Sequence, residues 1–384
     1  MKTYAALPIM NEPNAEKTIR QVLAQTQPPT ALYVCVNQPE IYKTEPEKKH
    51  VFEQNQKTIA EIREKFSCHI IDKSTIGWDS KNHGVGWARK ILMDTINEVA
   101  NPEDIIISLD ADTEYPPEYF ESVKHVFERP RWGVLHTPII SGRMQYAPTV
   151  ALSNPYYHKL IGQEAEDRAI LRYEIYMRCY HQNLIRIRSP YAFTALGSAM
   201  AVRIEAYRKI GGMAPKKSGE DFYFLQQLCK IGTVSTQNSV TVYPATRLSD
   251  RVFFGTGPAL IKGVGGDWNS YPIYSPKLWD EIAEIYRNFE TYFSPEDYQK
   301  LKSNSKTEYQ LQKFCHEKFD GLRILQYLKS KHAEHPQPDE LSLKENLEIF
   351  DIPITFPANF SLETAKIGLL DEIRNGLFKQ KNEM

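Results

Sequence analysis

Short apolar runs alternate along the first third of the chain with longer segments whose apolar positions recur every three or four residues. The runs are TYAAL from Thr3, ALYVCV from Ala31, CHII from Cys68, IIISL from Ile105 and WGVLH from Trp132. Helical periodicity fills the gaps near 14–25, 48–66, 85–99 and 117–129. Runs this apolar suit strands covered on both faces. With helices between them, they predict an α/β fold built on a mostly parallel sheet.

Beyond this region, residues 155–188 carry no strong breaker after Gly162 and predict helix. TALGSAMAVR (194–203) returns a strand, followed by a short helix and the glycine turn GGM. From about Ser275 the pattern changes to long charged helices, joined by the polar loop HAEHPQPDE. This predicts a first domain over 1–265 and a helical region over 275–384.

Composition narrows the class. Lys plus Arg number 47 and Asp plus Glu 48, so the formal charge is 47 − 48 = −1. No global field draws the chain to nucleic acid or to an anionic membrane. The N-terminal MKTYAALPIMNEPN is too short in its apolar part for a secretory signal and reads as a first strand. No window approaches the ~18 apolar residues of a membrane span, which leaves only peripheral membrane contact. The five cysteines are odd in number and scattered, with no pair at zinc-ligand spacing. They point to reduced thiols and a cytoplasmic protein.

Candidate chemistry begins where IIISL runs into Asp110 and Asp112. The carboxyl ends of strands are where open α/β sheets bind ligands. Two acids one residue apart repel each other, and a divalent cation relieves the repulsion. A calcium loop is excluded, because its sixth position is Tyr115 rather than glycine and the preceding segment is strand-like. The bland alternative is that both acids cap the helix starting near Pro117. A second segment, SGEDFYF, places Ser218 three residues before Asp221, the spacing of an extended capping box. There, too, the acids could serve only a helix start. A third, NHGVGWARK, lacks the third glycine of a dinucleotide fingerprint, whose place is taken by Arg89. Its glycine turn into a basic helix still suits the approach of a phosphate-bearing ligand.

Taken together, ALPIMNEP, NHGVGWARK, SLDADTEYPPEYF and GEDFYFLQQLCKIG resemble, in order and wording, a family-2-type glycosyltransferase of the GT-A fold, over roughly residues 3–260. The resemblance implies a Rossmann-like mixed sheet flanked by helices, with a C-terminal helical extension outside the family pattern. It implies that Asp112 and Asp110 hold Mn²⁺ or Mg²⁺ against the diphosphate of a nucleotide-sugar donor, with Asp110 also near the ribose. Asp221 becomes the catalytic base that inverts the anomeric centre, with Glu220 beside it at the acceptor. Pro8, Asn11 and Glu12 would line the nucleoside pocket, and Arg89 would support the nucleotide.

Two departures stand out. Asn37 occupies the place where relatives carry an acid that helps read the base. TRLSDRVFFGTGPAL replaces a Gln/Arg/Trp signature, leaving Arg247 and Arg251 as diphosphate contacts or as plain surface residues. The acceptor implied is a carbohydrate or a lipid-linked molecule. The aromatics Trp268, Tyr271, Tyr274 and Trp279 either stack on acceptor sugars or dock the helical region onto the catalytic domain, and docking fits better. Two rivals stay open: a catalytically silent nucleotide- or carbohydrate-binding protein of the same fold, and a sugar nucleotidyltransferase. The intact acids argue against the first. PIMNEPN, where a basic glycine-rich loop belongs, argues against the second.

Overall fold

A computed structural model describes residues 1–79, 81–128, 148–236, 239–249 and 255–379. The predicted strand from Trp132 and the candidate Arg251 lie outside these residues. Strands are β1 (Thr3–Ile9), β2 (Ala31–Pro39), β3 (His69–Trp78), β4 (Ile105–Ser108), β5 (Thr113–Glu114), β6 (Thr149–Ser153), β7 (Met200–Arg203), β8 (Thr233–Ser235) and β9 (Tyr243–Pro244). Helices are α1 (Ala15–Leu23), α2 (Lys49–Lys65), α3 (Val85–Val99), α4 (Tyr119–Glu128), α5 (Glu164–Arg186), α6 (Ile204–Lys209) and α7 (Glu220–Cys229). They continue as α8 (Thr256–Val264), α9 (Pro276–Arg287), α10 (Pro295–Ser303), α11 (Glu308–Lys318), α12 (Gly321–Glu334), α13 (Asp339–Ile349) and α14 (Ile367–Lys379).

The described residues fall into two compact units. One comprises those of Met1–Gly133, Pro148–Ile161 and Phe193–Pro258; the other comprises those of Gly162–Ala192 and Ala259–Met384. The first unit holds a seven-stranded sheet in the order β3-β2-β1-β4-β7-β6-β8 and a separate ribbon of β5 and β9. β1, β2, β3 and β4 run parallel, whereas β7 is antiparallel to β4 and to β6. The sheet is thus mixed, mostly parallel on the β1 side, and flanked by helices. Ala5, Leu7 and Ile9 of β1 join Ile105 and Ile107 of β4 in one core with Ile19, Val22, Tyr119 and Phe120, all buried. Each such Leu or Ile stabilises the fold by about 1.5–3 kcal/mol.

From β1 the chain winds outward to β2 and β3, then returns to place β4 on the other flank of β1. The crevice at the carboxyl ends of β1 and β4 is therefore a topological switch point. Helix was predicted from residue 155, yet α5 begins only at Glu164. The intervening chain is held extended, because Tyr156 bridges to Val242 and the Tyr157 amide donates to the Val242 carbonyl at 3.0 Å.

The second unit is helical, and α5 belongs to it. Tyr176 and Tyr180 of α5 meet Tyr271, Tyr274 and Trp279 at ring-centroid distances of 4.9–6.5 Å. Most of the aromatic cluster therefore packs onto α5, within the helical unit. Between α5 and α14 the buried Glu174 accepts from Arg178 and Arg374, each at 3.1 Å. Among the described residues no helix is long and apolar enough to cross a membrane.

Candidate functional site

β4 ends at Ser108, and its chain emerges into Asp110 and Asp112 beside the end of β1. A cavity of about 240 Å³ opens there, lined by Pro8 and Glu12 from the β1 side, Asp110 and Asp112 from the β4 side, Arg89 from α3, and Arg247. Six of the nominated residues thus meet at one place. Asn11, Glu220 and Asp221 do not line this cavity. Asn11 sits at a positive φ of 49°, with its amide donating to Asn55 Oδ1 at 2.8 Å. Asn37 does line it, its side-chain amide donating to the Ile9 carbonyl at 2.9 Å.

Arg89 is the buried cation of the site. Its Nε donates to Glu220 Oε1 at 3.0 Å, and its Nη2 to Asp110 Oδ1 at 2.6 Å. Nη1 donates to Ser108 Oγ (2.6 Å) and to the carbonyls of Leu109 (3.2 Å) and Gly197 (3.0 Å). A charged, rigid fork with every nitrogen engaged is a brace. Arg89 therefore fixes Asp110 to Glu220. The chain makes room for it at Gly197, where a Cβ would run into the guanidinium. Burial works against the charge of Arg89, but Asp110, Glu220 and Asp221 outweigh it and hold its pKa above the usual value.

The acids feel the converse. Burial pushes Asp110 up to about 6 against the pull of Arg89, with Asp112 adding to the rise. Its side chain is nevertheless 31% exposed, toward the cavity that it lines. Burial also pushes Glu220 up to about 7, with the Asp221 charge adding and Arg89 opposing. Asp221 is raised by burial as well, while Arg89 and the backbone amides of Phe222 and Gly197 oppose the rise. Its Oδ1 accepts from the Phe222 amide at 2.7 Å.

The capping box expected from Ser218 does not form. The N-cap of α7 is Gly219, in the left-handed conformation (φ 72°, ψ 19°), and no side chain caps the helix. A left-handed residue between Ser218 and the helix turns the serine away from the N-cap position, so the acids of α7 do not act with it as a box. The approach of α3 to this segment depends on Gly86, where a Cβ would meet the Lys216 backbone.

On the opposite wall Arg247 bridges two acids. Nη1 donates to Glu12 Oε2 at 2.7 Å, and Nη2 pairs with Asp112 Oδ2. The arginine is held there by the β5–β9 ribbon, in which Thr113 pairs with Pro244 and the Ala245 amide donates to the Asp112 carbonyl at 3.1 Å. His158, a buried cavity residue packed edge-on against Tyr156 at 5.6 Å, is absent from the candidates above. So are Ser108 and Gly197, which anchor Arg89. His158 lies in no motif, and the other two become meaningful only through a contact made across the fold.

No family model matches the chain, and neither does any curated protein. Among solved structures, the chain is similar to Staphylococcus aureus TarS 1–349 in complex with UDP-GlcNAc, at 12% identity and a TM-score of 0.43, over 94% of this chain and 98% of that one. It is also similar to the mannosyltransferase PcManGT of Pyrobaculum calidifontis in complex with GDP-Man and Mn²⁺, at 12% identity and a TM-score of 0.42, over 99% and 86%. Glucosyl-3-phosphoglycerate synthase from Mycobacterium tuberculosis, in complex with Mn²⁺, UDP and phosphoglyceric acid, is more distant: 12% identity, a TM-score of 0.35, over 64% and 69%. Likenesses this loose decide neither donor nor acceptor.

Proposed function

We propose that the chain is a glycosyltransferase that moves a sugar from a nucleotide-diphosphate donor to an acceptor hydroxyl. The observation that supports this most is the pair Asp110 and Asp112 at the end of β4, facing a cavity at the switch point with Glu12 and Arg247 on its wall. The donor set suits a hard divalent ion of the magnesium or manganese kind. Such ions use one or two carboxylates and complete their shell with substrate phosphates and water. Among the described residues no group of three His, Cys, Asp or Glu gathers to form a closed protein cage. Asp110 and Asp112 would hold the ion, and it would supply positive charge against the leaving diphosphate.

The remaining roles fall to the chain itself. Pro8 and Asn37 form part of the wall against which a nucleoside can lie. Arg247 carries two guanidinium nitrogens already directed at oxygen anions, so a diphosphate oxygen can replace the Asp112 carboxylate as its partner. Arg89 keeps Asp110 in place and ties its position to the first residue of α7. In the reaction, the acceptor oxygen forms a bond to the anomeric carbon as the bond to the diphosphate oxygen breaks. Asp221 accepts the hydroxyl proton, and its raised pKa makes it a stronger base than an exposed aspartate. Attack opposite the leaving group inverts the configuration.

The test is a calorimetric titration of UDP and GDP with manganese, with magnesium and with chelator. Metal-dependent binding that Asp112→Asn weakens, in a protein with an unchanged melting temperature, is the expected result. Equal affinity in chelator and in manganese overturns the metal role. With a working donor and acceptor pair, Asp221→Asn leaves donor binding intact and lowers transfer ~10²–10⁴-fold. Wild-type transfer by a folded Asp221→Asn protein would move the base elsewhere, with Glu220 next in line.

A further inference from the structure

The parallel ladder of β1 and β2 ends at Ile9 opposite Val36, and both chains then run on along the wall of the cavity at the switch point. Beyond the ladder, Asn55 of α2 ties the two chains together. It is fully buried and does not itself line the cavity. Its Oδ1 accepts from the Asn11 amide at 2.8 Å. Its Nδ2 donates to the Asn37 carbonyl at 3.1 Å and to Gln38 Oε1 at 2.9 Å. Both amide hydrogens and one acceptor site of the carboxamide are thus engaged. On the β1 side the bond falls on Asn11, whose φ of 49° lies in the left-handed region. A non-glycine residue stays there where its surroundings over-determine it, and such positions gather at ligand sites.

Holding the Asn37 backbone also settles what its side chain offers. Nδ2 donates to the Ile9 carbonyl at 2.9 Å, and because that carbonyl can only accept, the amide cannot turn over without losing the bond. Oδ1 takes no hydrogen bond from the described residues and lies open to the cavity that Asn37 lines. At this point the wall therefore presents an acceptor and no donor. We propose that Asn55 is a positioning residue for the nucleoside end of this cavity. It holds the exits of β1 and β2 at the spacing that keeps Asn37 Nδ2 on Ile9 and turns Asn37 Oδ1 toward an N–H of the base. This role holds only if the cavity is the nucleotide site proposed above.

The experiment uses the full chain and calorimetric titration of UDP, GDP and inorganic pyrophosphate in manganese. Pyrophosphate reports the diphosphate end alone. The ratio of the tighter nucleotide's affinity to that of pyrophosphate reports the nucleoside end. Asn55→Ala should weaken that nucleotide about tenfold and leave pyrophosphate within about twofold of the wild type. Asn37→Ala should do the same. The double variant should be little weaker than either single one, because both changes remove the same interaction. A purely structural Asn55 would weaken all three ligands together or none. Should Asn55→Ala fail to fold, Asn55→Ser, which keeps a hydroxyl, is taken through the same cycle. Equal losses for nucleotide and pyrophosphate, an unchanged nucleotide affinity, or additive losses in the double variant overturn the role of Asn55 and leave the nucleotide site standing. Failure of the wild type to bind either nucleotide more tightly than pyrophosphate overturns both.

Discussion

Arg89 and Arg172 are both buried arginines, each paired with an aspartate, yet they have opposite relations to their surroundings. Arg89 reaches two carboxylates, a hydroxyl and two carbonyls, so that every nitrogen of its guanidinium is engaged. Arg172 reaches one carbonyl and one carboxylate, rests on an indole, and leaves a terminal nitrogen without a partner. The first arrangement is closed: it holds acids in position and has nothing further to give. The second is open, with a donor still to be satisfied. What separates the two is not the burial of the charge but how much of its hydrogen-bonding capacity the fold supplies.

Removing each cation should expose this contrast. Arg89→Gln leaves Glu220 buried without its counter-charge and strips one from Asp110, so a loss of about 3–5 kcal/mol in chemical denaturation is expected. Arg172→Gln should cost less, about 1.5–3 kcal/mol, because Asp339 is 24% exposed and regains water. Equal losses would erase the distinction between brace and open donor.

A smaller effect is expected at Gly219. Its left-handed conformation makes Gly219→Ala cost about 1–2 kcal/mol by thermal or urea unfolding, whereas Ser218→Ala loses no cap. A pH effect is expected as well. Glu220 has its folded pKa raised from 4.5 to about 7, so the folded state keeps a proton that the unfolded state has released. Its contribution is fully present below pH 4.5 and is lost as pH climbs through 7. In metal-free buffer, Glu220→Gln should flatten the fall in melting temperature across that window. Parallel wild-type and variant profiles would refute the assignment.

Much of this was legible along the chain. The buried parallel strands follow from short unbroken apolar runs, and Asp110 and Asp112 are conspicuous because charge follows Ile105–Leu109 so abruptly. Local signals failed where a distant contact decides the outcome. The Ser218 and Asp221 spacing suggested a capping box, but the backbone turns left-handed at Gly219 where Lys216 lies against Gly86 of α3. The glycine turn before α3 points to Arg89 near a phosphate-bearing ligand but says nothing of its bracing role. The partners of Arg89 lie as far as 131 residues away, at Glu220, and no periodicity announces them. Likewise α5 groups with the C-terminal helices because its tyrosines fit Tyr271, Tyr274 and Trp279, a match of shapes that one segment cannot reveal.

The β5–β9 ribbon has a kinetic consequence. It stitches the backbone carrying Arg247 to the backbone carrying Asp112, by the pairing of Thr113 with Pro244 and the amide of Ala245. If the proposed donor drew the guanidinium from its carboxylate, the two side chains would separate but their tethers would not. Recapture would then be intramolecular, with no diffusional search. Such a donor would have to outcompete a partner that never diffuses away, and a weak, singly charged anion would do so least.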